Sequence, residues 1–223
     1  QKAVKEYQLN VFYSLKTEEP FLPKGYEIAE EQLVLKTLPA TVFTPSSKKA
    51  LQLKETKEQC TISGDKFEVV FDLKKGILSG YSIKGEQFIE QGPKPSFWRA
   101  PTDNDIGAGF NTNLRKWRNA YDNGIEIQAV VTKNTDGSVQ VKITTKLVEG
   151  EASHQQVLTV YGDGNIKVDN EFTAIKGKTP LLLRAGNDLV INKNFNTINW
   201  YGRGPGENYW DRKTNTFIGQ FKQ

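Results

Sequence analysis

Two stretches of the sequence concentrate side chains able to do chemistry: Phe97-Trp98-Arg99-Ala100-Pro101-Thr102-Asp103-Asn104-Asp105-Ile106-Gly107 and Tyr201-Gly202-Arg203-Gly204-Pro205-Gly206-Glu207-Asn208-Tyr209-Trp210-Asp211-Arg212. Each sets aromatic faces beside planar guanidinium, carboxylate and amide groups, which together bind a sugar by ring stacking and bidentate hydrogen bonds. The candidates for that role are Trp98, Arg99, Asp103, Asn104, Asp105, Arg203, Glu207, Asn208, Tyr209, Asp211 and Arg212. A second reading uses the same residues differently. Arg99, Arg203 and Arg212 pair with Asp103, Asp105, Glu207 and Asp211 and brace two long loops, because ion-pair networks are ordinary in loop packing. If the two stretches serve one purpose, Arg99, Asp103 and Asp105 are expected to face Arg203, Glu207, Asn208 and Arg212, since an unpaired buried charge costs several kcal/mol.

Other chemistries fail on the residues themselves. The run Gly202, Gly204, Gly206 has Glu207 where a dinucleotide fingerprint continues towards its third glycine, and Pro205 and the residues after it do not open a helix. Asp103 and Asp105 begin like a calcium loop, but Ala108 and Leu114 stand where Gly and Glu are required. No metal site and no cofactor are expected. The one histidine, His154, lies in the polar stretch Glu149 to Gln156 and is expected to be solvent-exposed and not catalytic. A carboxylate pair for glycoside hydrolysis drawn from Asp103, Asp105, Glu207 and Asp211 is rejected, because each has an arginine within a few residues, which favours the ionised form over a general acid. Cys60, at the start of a strand, is expected to be a small core residue, and as the one cysteine it excludes an internal disulfide framework.

The elements that position these stretches read as strands. Apolar and polar residues alternate in Tyr7 to Leu15 and Phe67 to Leu73, and further candidate strands are Glu27 to Leu35, Ile125 to Lys133, Val139 to Leu147, Val157 to Tyr161, Ile166 to Ala174 and Thr197 to Tyr201, with turn clusters at Thr135-Asp136-Gly137-Ser138 and Gly162-Asp163-Gly164-Asn165. Short strands at this spacing predict antiparallel sheets packed as a sandwich. Helical period occurs once, in Leu114, Trp117 and Tyr121, and predicts one helix. Residues 39–57, with two prolines, paired serines and four lysines, read as a linker, so that 1–38 form one piece and 58–223 another. Two strands cannot close a core, and residues 1–38 are expected to be the final strands of a longer domain. Methionine is absent, position 1 included, and the chain is expected to derive from something longer.

Composition narrows the partners. The apolar set is 37% with 19 glycines besides, close to the roughly 45 to 50% of globular domains. A net charge of +4 in 223 residues names neither nucleic acid nor a membrane surface as a partner. No run approaches about 18 consecutive apolar residues, and no membrane span is expected.

At Phe97 to Asp105 and at Trp200 to Arg212 the sequence resembles the signature stretches of the small C-terminal domain of large β-galactosidases of glycoside hydrolase family 2. The resemblance runs from Thr61 to Phe221, includes Leu181-Leu182-Leu183-Arg184-Ala185-Gly186 and the Trp117 segment, and covers about seven tenths of the chain. Residues 1–38 are similar, more weakly, to the last strands of the immunoglobulin-like domain preceding it. The resemblance implies an all-β fold: a supersandwich resembling galactose mutarotase over 58–223, truncated at its C-terminus, which packs against a TIM barrel in a homo-oligomeric parent that hydrolyses terminal β-D-galactosides. Both catalytic glutamates of that family belong to the barrel. This chain is therefore expected to be an accessory part that supports and partly walls the active site, inactive alone. The alternatives are a free-standing carbohydrate-binding module and, disfavoured by the single histidine, an aldose epimerase.

Overall fold

The computed structural model describes residues 6–37, 44–46, 49–175, 181–209 and 212–223. The fold is all-β, built from antiparallel sheets, and the chain divides into two compact units, Gln1–Phe43 with Asn196–Gln223 and, separately, Thr44–Phe195.

In the first unit, β1 (Tyr7–Ser14) pairs antiparallel with β2 (Glu27–Lys36), within a residue of the expected strand bounds. Both strands are largely exposed, Tyr13, Ile28 and Leu35 among their apolar side chains.

The second unit is a sandwich. Its larger sheet runs β3 (Gln52–Glu55), β4 (Gln59–Ser63), β5 (Phe67–Asp72), β6 (Ile77–Ile83) and β7 (Glu86–Ser96) in consecutive hairpin order. The strand β3 falls inside the segment read as linker. Its four residues pair with β4, Leu53 opposite Ile62, and Leu51 just before it is buried, so the end of that segment belongs to the sheet. The smaller sheet is β8 (Ile125–Lys133), β9 (Val139–Leu147), β10 (Ala152–Val160) and β11 (Ile166–Ala174), and β12 (Gly186–Ile191) then adds to the larger sheet beside β7. The inner faces meet in a core of Cys60, Ile62, Val69, Phe71 and Leu78 from one sheet and Val139, Val141, Ile143, Leu158 and Val160 from the other. Cys60 is fully buried there, as expected of a small core residue.

Strand β10 begins five residues before the expected Val157. Pairing with β9 places Ala152, His154, Gln156, Leu158 and Val160 on the inward face. His154 is therefore buried, at 4% exposure, and the expectation of a solvated histidine is corrected. A polar stretch conceals period-two alternation when the inward residues are themselves polar.

The helical segment also differs. Between β7 and β8 lie two short helices, α1 (Asp103–Gly107) and α2 (Phe110–Asn113), followed by a 3₁₀ turn at Arg115–Trp117. The helix expected over Leu114 to Tyr121 is instead a 3₁₀ turn, entered at Leu114 with φ −104° and ψ 5° and followed by turns. The spacing still brings Trp117 and Tyr121 into a second core cluster with Phe97, Ala120, Leu147 and Ala152. Back in the first unit, β13 (Asn199–Gly204) pairs with β14 (Phe217–Lys222), Trp200 opposite Phe221. Gln32 ties β2 to that pair, donating to the Ile218 carbonyl at 2.9 Å and accepting from the Ile218 N–H at 2.8 Å.

Truncation of Phe71 tests the sandwich core, since the ring is fully buried between the sheets. Phe71→Ala is expected to lower stability by about 3 to 5 kcal/mol, read from the urea unfolding curve.

Candidate functional site

The first stretch is anchored before it carries chemistry. Phe97 follows β7 directly, and its buried ring sits 5.6 Å from Phe172, 5.8 Å from His154 and 6.1 Å from Trp117, centroid to centroid. These separations are typical of edge-to-face and tilted aromatic pairs. The next residue, Trp98, is half-buried against the same cluster and lines a cleft.

Asp105 is the busiest side chain of the stretch. Its carboxylate accepts from Arg99 Nη2 at 3.0 to 3.1 Å and from the Thr102 N–H at 2.9 Å, while its own N–H donates to Thr102 Oγ1 at 3.3 Å. That is a capping box opening α1, with Asp105 only 6% exposed. An aspartate here satisfies N-terminal amides, benefits from the helix dipole and meets a guanidinium at once. Asp103 and Asn104 stand outside this arrangement and are exposed.

The second stretch organises itself around backbone. Arg203 Nη1 donates to the carbonyls of Lys213 (2.8 Å) and Thr216 (2.7 Å), closing the loop between β13 and β14. The Arg203 carbonyl accepts from Trp200 Nε1 at 3.1 Å and from Asn208 Nδ2 at 3.5 Å. Arg212 pairs with Glu207 at the surface, both side chains more than half exposed, and its backbone N–H reaches the Tyr209 carbonyl at 2.8 Å. Asp211 lies outside the described residues. The structure thus joins Arg99 with Asp105, Arg203 with Asn208, and Glu207 with Arg212, each inside its own stretch, and the two stretches fall in different compact units.

Sequence reasoning missed the inward polar residues of β10. Gln156 is buried and donates to Asn170 Oδ1 at 3.0 Å and Asn187 Oδ1 at 3.1 Å. Burial holds the His154 imidazole down to about 4, opposed by a hydrogen bond with Asn170, so the ring is neutral at pH 7. Its Phe97 contact makes it part of the floor under the first stretch.

The family described as Beta galactosidase small chain matches residues 63–223, which takes in both stretches and most of the larger unit. The chain belongs to this family. Whole enzymes that carry the small-chain region agree: the chain is 31% identical over 94% of its length to the β-galactosidase of Priestia megaterium, 34% over 95% to that of Psychromonas ingrahamii, and 29% over 93% to that of Lactobacillus delbrueckii subsp. bulgaricus. It spans about a fifth of the length of these relatives.

Two outcomes are expected from the geometry of this small-chain sandwich. Arg99→Ala strands the nearly buried Asp105 and is expected to cost about 2 to 4 kcal/mol, whereas Arg212→Ala, at an exposed pair, costs about 0 to 1 kcal/mol. Urea titrations of the two variants compare them directly. A histidine whose folded-state value is depressed to about 4 contributes stability that is fully present above its ordinary 6.5 and is lost as pH falls from there towards 4. The wild-type chain is therefore expected to lose up to about 3 kcal/mol more than His154→Gln across that window, measured as the difference between their stability–pH curves.

Proposed function

We propose that this chain is the accessory C-terminal sandwich of a retaining enzyme that hydrolyses terminal β-D-galactosides, and that it supports and partly walls an active site whose carboxylates lie on a partner TIM barrel of a homo-oligomeric parent. The observation that carries this reading is the alignment of nearly the whole chain with a fifth of the length of several β-galactosidases. The local chemistry supports an accessory role. Asp105 is occupied by Arg99 and a backbone amide, and Glu207 by Arg212, so these carboxylates are engaged as loop braces. A retaining glycosidase needs two carboxyl groups about 5 to 5.5 Å apart, one of them free to protonate the leaving group.

The same reading separates the larger sandwich, which the resemblance likens to galactose mutarotase, from mutarotase chemistry. Proton transfer on a sugar ring needs an accessible acid and base, and His154 is enclosed by Phe97 and Tyr121. The exposed Asp103 and Asn104, with the half-buried Trp98, remain available to a galactoside.

The test is a chimera in which this chain replaces the corresponding region of the Priestia megaterium β-galactosidase. Turnover of a chromogenic β-galactoside is expected from the chimera and not from the 223-residue chain alone. Turnover by the isolated chain, abolished by Glu207→Gln or Asp103→Asn, overturns the accessory reading.

A further inference from the structure

Beside the first stretch lies a cleft of about 570 Å³, bordered by Trp98, Pro101, Asn111, Thr112, Arg115 and Arg118. Its size falls within the range of small-molecule sites. All of its walls belong to the larger unit. We infer that this cleft binds a sugar carrying an anionic substituent, a carboxylate or a sulfate.

Charge is the first reason. Arg115 and Arg118 are exposed, and among the described residues neither makes an ion pair or a side-chain hydrogen bond. Their neighbours behave otherwise: Lys116 pairs with Glu151, and Lys94 with Asp122 at 3.0 Å. The sequence carries no acidic residue between Asp105 and Asp122, and the one acidic partner of that segment among the described residues, Glu151, is taken by Lys116. Two like charges three residues apart on one turn repel each other, and an anion seated between them reverses that cost. Both arginines also border the adjoining cleft with Lys116, Asn119 and Asn123.

Shape and rigidity are the second reason. A guanidinium offers two parallel N–H donors to a carboxylate or sulfate, the Trp98 ring offers a face to the C–H side of a pyranose, and Asn111 and Thr112 supply amide and hydroxyl partners for ring hydroxyls. The platform is held in advance. Trp98 stands between the buried Phe97 and the Arg99–Asp105 pair, and the arginine turn is pinned by the buried Trp117. Preorganisation of this kind reduces the ordering cost of binding. The cleft is argued from this chain's own residues, and only the galacto configuration of its sugar rests on the galactosidase reading.

Calorimetric titration of the full 223-residue chain at low salt tests it, with galacturonate and galactose 6-sulfate as probes and galactose and inorganic sulfate as controls. Saturable binding of the two anionic sugars is expected, at least about tenfold tighter than either control. The double variant Arg115→Gln/Arg118→Gln is expected to lose about tenfold or more while keeping its near-ultraviolet circular dichroism, and Lys116→Gln to bind as the wild type does. Galactose binding as tightly as galacturonate removes the anionic requirement. Inorganic sulfate binding as tightly as galactose 6-sulfate removes the sugar. Absence of saturable binding, or a double variant that binds unchanged, overturns the site.

Discussion

The packing of four aromatic rings, Phe97, Trp117, Tyr121 and Phe172, around the inward face of β10 is the constraint on which the first stretch depends. Phe97 is the residue at which the chain leaves the sheet, and Trp117 and Tyr121 lie where it returns. With both ends of the excursion held in one cluster, the helical turns between them are too short to be stable as isolated helices and persist through tertiary contacts. His154 completes the cluster as a neutral ring, its charge suppressed by burial. The chemistry-bearing residues thus rest on a floor of apolar contacts that is itself continuous with the smaller sheet.

The two stretches use arginine in different ways. Arg99 meets a carboxylate that is almost out of water, where removal of either partner leaves an uncompensated charge. Arg203 meets backbone carbonyls, so it acts as a clasp on a loop and needs no acidic partner. Arg212 and Glu207 pair in solvent, where side-chain entropy and screening consume most of the Coulombic gain. Three arginines that look alike in sequence therefore do unequal work, and burial of the acceptor decides which matters.

This division separates bracing from recognition within the small-chain family fold. Asp105, Arg99 and Arg203 are absorbed by the fold, whereas Trp98, Asp103 and Asn104 retain surface for contact. Arg115 and Arg118, outside either stretch, line the cleft beside Trp98.

What the sequence by itself determined is the regular part of the molecule. Strands β8, β9 and β11 occupy the residues that alternation marks out, because each has a clear two-residue period bounded by Gly and Asp turns. Cys60 in the core and the Arg99–Asp105 and Arg212–Glu207 pairs were likewise legible from residue type and neighbours, whereas Arg203, expected to meet a carboxylate, meets backbone carbonyls. Tertiary structure decided the rest. Strand pairing turned His154 and Gln156 inward, which no hydropathy pattern records, because a hydrogen-bonding partner on an adjacent strand can make a polar residue tolerable in the interior. It recruited Gln52–Glu55 into an edge strand, where backbone ladder bonds need no hydrophobic run. It also replaced the expected helix from Leu114 to Tyr121 with a 3₁₀ turn while keeping Trp117 and Tyr121 in the core, because the burial of two large rings, and not helical propensity, sets the path of that segment.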